Sequence, residues 1–127
     1  MIARDHRDLN AGLQAFYATL QPQWLNRVMV LVISEFGRTP GSNSSGGTDH
    51  GAGGVMLVSG KNVRPGVLGS HGGWNLGAYN SDRWYGNVPV GIDYRDVYAG
   101  LLRDHLHVSP RSVLTSAYRG TPLQVMA

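Results

Sequence analysis

Val28-Met29-Val30-Leu31-Val32-Ile33 is the stretch that most limits what this chain can fold into. Apolar, largely β-branched residues follow one another here without polar alternation, so the run reads as a strand covered on both faces, the usual state of strands in a parallel sheet. It is far too short to cross a bilayer. The residues in front of it supply the helix such a strand packs against. Leu9, Leu13, Phe16, Tyr17 and Leu20 fall at i, i+4, i+7, i+8 and i+11, one face of a 3.6-residue period, with Asp8 placed to cap the helix and Pro22 to end it. Helix followed by buried strand is half of an α/β repeat, and an α/β fold with a mostly parallel sheet is the expectation.

Fifteen of the eighteen glycines lie between Gly37 and Gly91, which makes the middle of the chain a Gly-rich loop region at one edge of that sheet. Inside it, Gly54-Val55-Met56-Leu57-Val58-Ser59-Gly60 reads as a second buried strand. The segment from Gly66 to Gly91 carries Trp74, Tyr79, Trp84 and Tyr85 among Gly, Asn and Ser, and fits either a short hairpin or an ordered loop. Beyond it, Asp93 stands as the N-cap of a helix that turns Val97, Leu101 and Leu102 inward and carries Arg103, His105 and His107 near its end. Ser109-Pro110 starts a short final helix or turn over Val113 and Leu114.

A chain of 127 residues with a 42% hydrophobic and 15% charged composition is expected to form one globular domain, residues 1–127. The net charge of +3 comes from ten scattered arginines and a single lysine. With no basic cluster interleaved with aromatics, nucleic acid is not the expected partner. The N-terminal Met1-Ile2-Ala3-Arg4-Asp5-His6-Arg7-Asp8 has no apolar signal core, and no membrane span is expected. There is no cysteine, so any metal must be held by His, Asp or Glu.

Glu35 is the only glutamate of the chain and follows the apolar run directly. In open α/β sheets ligands bind beyond the carboxyl ends of the strands, and a carboxylate there needs a cation, an arginine or hydrogen-bond donors beside it. Arg38, three residues on, can pair with Glu35 and pin the loop; a metal is the other partner. Thr48-Asp49-His50-Gly51 adds a carboxylate and an imidazole between glycines that let the backbone approach a bound group closely. Glu35, Asp49 and His50 together suit Zn, Mn or Mg, although an Asp-His pair alone is more often a turn or a cap. His71 can complete a site or sit on a surface loop, whereas His105 and His107 are placed as partners of a helix dipole. Ser34 lacks the Gly-x-Ser-x-Gly setting of a hydrolase nucleophile, and the glycines from Gly46 to Gly54 lack the Gly-Lys-Ser/Thr ending of a phosphate loop.

At "SEFGRT" (Ser34 to Thr39), the polar insert and "GGTDHGAGGVMLVSG" (Gly46 to Gly60), the chain resembles the carboxyl-terminal part of the bacterial domain-of-unknown-function family 1501, a relative of the alkaline phosphatase and sulfatase superfamily. The likeness runs from the Leu9 helix to about Leu106. It implies a partial alkaline-phosphatase-like α/β/α sandwich, the carboxyl-terminal half of a larger domain, with divalent metal at the strand ends and phosphate or sulfate esters as substrates. Glu35 then occupies the strand-end position of a metal-binding aspartate, Phe36 stands where the superfamily has a histidine, and His50 resembles a later metal-binding histidine. In a rival register Asp49-His50 itself aligns with the superfamily's Asp-His-Gly motif, and His50 again meets the metal.

The resemblance therefore implies a metal-dependent, hydrolase-like protein in which Glu35, Asp49 and His50 hold the ion and Arg38 faces the anionic ester. The nucleophile segment lies upstream of these motifs in the superfamily, so the chain alone is expected to be inactive, and because many members are exported the resemblance implies a periplasmic or exported protein. The alternative is a non-catalytic binding or assembly module in which Glu35, Arg38, Asp49 and His50 form a structural polar network. There the Trp74 to Tyr85 aromatics would meet a partner, or a second copy in a homo-oligomer that covers the edge left by the missing N-terminal half.

Overall fold

The computed structural model describes residues 2–69, 88–115 and 117–127. His71 and the Trp74 to Tyr85 aromatics lie outside them. Helix α1 spans Ile2–Thr19 and begins well ahead of Asp8, since no glycine or proline precedes Gly12 and Asp8 falls in its interior. It ends where expected. Thr19 Oγ1 donates to the carbonyls of Ala15 and Phe16, both at 3.0 Å, and a short 3-10 turn, Pro22–Trp24, follows with proline leading it. Tyr17 Oη reaches across to Ser59 Oγ at 2.8 Å.

The apolar run yields β1, Val30–Val32, and the strands after it are β2, Gly37–Arg38, β3, His50–Gly51, and β4, Leu57–Ser59. Both expected strand centres are present, but the mostly parallel sheet is corrected: β1 pairs with β4 antiparallel, Val30 opposite Ser59 and Val32 opposite Leu57. β2 pairs antiparallel with β3. A parallel return needs a crossover, usually a helix, to carry the chain back to the start of the sheet. The segment from residue 33 to 56 instead folds back on itself as the β2–β3 hairpin, which delivers β4 to the near end of β1. The ribbon is half open, with Ile33 and Leu57 exposed. Among the described residues the architecture is a small α/β arrangement of helices and two antiparallel pairs, and the sandwich implied by the resemblance is not formed.

Helix α2, Tyr94–Asp104, is the best-specified element. Asp93 caps it, accepting from the Arg95 backbone N–H at 2.8 Å. The Arg95 guanidinium clamps the same carboxylate, and these bonds pull the Asp93 pKa from 3.8 down to about 2. Because the folded-state value is depressed, this contribution is present above pH 3.8 and is lost as pH falls through 2. Asp93→Ala is expected to cost about 1 kcal/mol at neutral pH, and urea melts at pH 7 and pH 2 should show the gap between variant and wild type closing in acid.

Val97, Ala99 and Gly100 of α2 are buried, and the other side of that core is the C-terminal segment, through Tyr118 and Val125. Leu123 N–H donates to the Asp96 carbonyl at 2.9 Å, Arg64 N–H to the Val125 carbonyl at 2.9 Å and Ala127 N–H to the Asn62 carbonyl at 3.0 Å. Tyr118 Oη donates to Asp96 Oδ1 at 2.6 Å, and burial followed by this bond pushes the phenol up to about 12. The end of α2 closes on His107, which takes a left-handed φ of 55° while Leu106 and Val108 N–H groups reach back to the Leu101 and Leu102 carbonyls. His105 Nε2 lies 3.2 Å from the Arg27 carbonyl oxygen, tying α2 to the approach of β1. Ser109 leads into α3, Pro110–Val113. No helix among the described residues is long and apolar enough to cross a membrane.

Candidate functional site

The β2–β3 hairpin exists because glycine occupies the positions where two backbones meet. Gly37 lies opposite Gly51, and a Cβ on Gly37 would overlap the carbonyl of Gly53. Gly53 is itself held by its N–H bond to the Val88 carbonyl at 2.9 Å. Ser34 Oγ donates to the Phe36 carbonyl at 2.8 Å, so the serine of "SEFGRT" shapes the turn into β2. Beyond Arg38 the ladder continues through buried Thr39: its N–H donates to the Asp49 carbonyl at 3.0 Å, and Asp49 N–H donates to Thr39 Oγ1 at 3.1 Å.

The loop between the strands turns on Asn43. Its Oδ1 accepts from the N–H groups of Ser45 at 3.1 Å and Gly47 at 2.9 Å. Its backbone N–H donates to the Gly47 carbonyl at 2.7 Å and its carbonyl accepts from Gly46 at 3.1 Å. Gly46 takes φ 72°, which glycine adopts without strain. Sequence reasoning passed over Asn43, although Asn before Ser-Ser-Gly-Gly is a signature for a turn bonded by its own side chain.

Side chains alternate across an extended strand, and that alternation sorts the expected site residues. Arg38 and His50 are direct cross-strand partners. The His50 ring stacks on Phe36 with centroids 3.7 Å apart and planes 27° from parallel. The Arg38 guanidinium carbon stands 5.1 Å from the centroid of the same Phe36 ring, and Arg38 Nη1 donates to the Thr48 carbonyl at 2.7 Å. Phe36, which the resemblance marked as a departure, is thus the platform that holds an imidazole and a guanidinium together. Asp49, one residue before His50, is turned the other way, and its Oδ1 accepts from Asn43 Nδ2 at 2.9 Å. Glu35 is exposed. Arg38 meets Thr48 and Phe36 instead of Glu35, and no ion pair joins Glu35 to Arg38 among the described residues.

The three expected metal ligands therefore go separate ways: Asp49 to Asn43, His50 to Phe36, and Glu35 to the exposed surface. Among the described residues no three His, Asp or Glu side chains gather where one ion could be held. As placed, Asp49 and His50 do not fit a common coordination shell, because adjacent residues of an extended strand point apart. What the arrangement offers is a guanidinium and an imidazole side by side on an exposed edge, suited to an oxyanion.

No match was found among curated proteins or among solved structures. Residues 1–115, which include the whole hairpin, match the family described as "Protein of unknown function (DUF1501)", and the chain belongs to that family.

Proposed function

We propose that the β2–β3 hairpin is the anion-recognising edge of a hydrolase-like domain related to the alkaline phosphatase and sulfatase superfamily, and that it holds the phosphate or sulfate group of an ester through Arg38. The observation that carries this reading is the shared exposed face of Arg38 and His50 around Phe36. A guanidinium has five N–H donors. Arg38 anchors itself to the Thr48 carbonyl through Nη1, and the fork that remains matches two oxygens of a phosphate or sulfate. In an ester that reacts, those non-bridging oxygens gather charge, and a fixed cation beside them lowers the barrier. Glu35, Asp49 and His50 do not fit one divalent ion as placed, and the edge acts through its own side chains. Arg38 supplies charge neutralisation and, with His50 beside it, recognition, and neither breaks a bond.

The test is a titration of the wild type with inorganic phosphate and with an aryl phosphate, followed by calorimetry and amide shifts. Saturable binding is expected, with the largest shifts at Arg38 and His50. Arg38→Ala should weaken it about tenfold or more, the effect of losing a charge-assisted fork at an exposed site. Equal binding by wild type and Arg38→Ala would reject the reading.

The second reading, a non-catalytic assembly module, is favoured by the way the Arg38–Thr48 and Asn43–Asp49 bonds close inside the hairpin. It predicts a self-associating chain whose size by light scattering is indifferent to phosphate, with no phosphate-dependent shifts at Arg38.

A further inference from the structure

We infer that Asn43 is a positioning residue for this edge: it fixes where the Thr48 carbonyl stands, and through that carbonyl where the Arg38 guanidinium stands. The inference rests on Arg38 as the anion-binding group.

Thr48 lies between two residues that are each held from outside. On one side Gly47 is bound twice by Asn43, its N–H on Oδ1 at 2.9 Å and its carbonyl on the Asn43 N–H at 2.7 Å. On the other, the Asp49 backbone is bound by Thr39 at both its N–H and its carbonyl. The Asp49 carboxylate is fastened back to Asn43 Nδ2 at 2.9 Å. With both neighbours fixed, the peptide of Thr48 has little freedom, and its oxygen stays 2.7 Å from Arg38 Nη1. Arg38 is exposed, where a long side chain would otherwise sample many rotamers and lose that freedom on binding. Here it is pre-set, between the Thr48 oxygen and the Phe36 ring.

Asp49 also gains a defined part. It is the anchor by which the loop grips β3, and by facing Asn43 it leaves His50, the next residue, to face Phe36. The ligand set expected from the sequence fails to converge because one of its members is spent on holding the loop.

The experiment uses the full chain and inorganic phosphate as the probe. Asn43→Ala is expected to weaken phosphate binding about tenfold, comparable to Arg38→Ala, and the Asn43→Ala/Arg38→Ala pair should bind no more weakly than Arg38→Ala alone, because the two act in series. Asn43→Asp sets two carboxylates face to face and should weaken binding as well. The exchanged pair Asn43→Asp/Asp49→Asn restores one amide and one carboxylate with the hydrogen bond reversed, and should recover wild-type affinity. Unchanged amide dispersion outside residues 34–53 shows that the variants are folded. Wild-type affinity in Asn43→Ala, additive losses in the double variant, or no recovery in the exchanged pair would overturn the inference. If the wild type itself binds no phosphate, the anion-binding reading falls. The positioning claim is then judged by the side-chain ¹H–¹⁵N signals of Arg38, which should be resolved in the wild type and collapse to the solvent-averaged position in Asn43→Ala. Identical signals in the two proteins would sink it.

Discussion

Gly37→Ala is expected to remove the proposed anion-binding edge altogether. Its Cβ would overlap the carbonyl group of Gly53, and a Cβ on Gly53 would stand 2.5 Å from the Val88 oxygen. Three backbone segments are thus stacked with no side chain between them, and none of the crowded atoms belongs to a flexible side chain that could swing away. Crowding of this kind typically costs about 1–3 kcal/mol, sometimes more. Here it falls on a hairpin of two residues per strand, which has few ladder bonds to absorb it. The cheapest relief is for β2 to leave β3, which parts Arg38 from His50 and from the Thr48 oxygen. The expected result is a loss of phosphate-induced shifts at Arg38 and His50, with the α2 amides little changed. Gly54→Ala is the control. Its Cβ would meet the Gly37 Cα at 3.5 Å, an ordinary contact, and binding should be retained. A Gly37→Ala protein that binds phosphate normally would show that the close stacking does not matter to the edge.

Elements announced by local chemistry are where they were expected: Asp93 caps α2, Ser109-Pro110 opens α3, and Pro22 follows the end of α1. The start of α1 was misplaced because Asp8 is a good cap only where the chain before it is not already helical. Strand direction was not legible. Six apolar residues in a row mark a strand, here only half-buried, and not the heading of its neighbour, which depends on whether residues 33–56 form a crossover or a hairpin.

At the site, the two segments that meet were legible and their geometry was not. Asp49 and His50 look equivalent as a dipeptide, and only pairing with β2 decides that one faces Asn43 and the other Phe36. The C-terminal segment was silent for a related reason. Most of its fastenings, at Leu123, Val125 and Ala127, are backbone bonds that leave no pattern in side-chain type.

That silent segment gives the second large prediction, which turns on two helical glycines that propensity alone would treat alike. Replacing glycine by alanine in a helix interior should gain about 1 kcal/mol from the lost freedom of the unfolded chain. Gly12 of α1 has nothing within 4 Å of the added Cβ, so Gly12→Ala should show this gain as a rise in melting temperature of roughly 4 °C. Gly100 of α2 is buried, and its Cβ would overlap the Leu123 carbonyl. That carbonyl cannot retreat freely, because the Leu123 N–H is bonded to Asp96 one turn earlier on the same helix. Gly100→Ala should therefore reverse the sign, destabilising by about 1–3 kcal/mol despite the better propensity. Separating α2 from the C-terminal segment also exposes Val125 and Tyr118, two of the four buried apolar side chains among the described residues. The readout is a pair of denaturant melts compared with wild type. Opposite shifts in midpoint support the clasp between α2 and the C-terminal segment, and a Gly100→Ala protein as stable as Gly12→Ala would show that the segment does not pack on the helix.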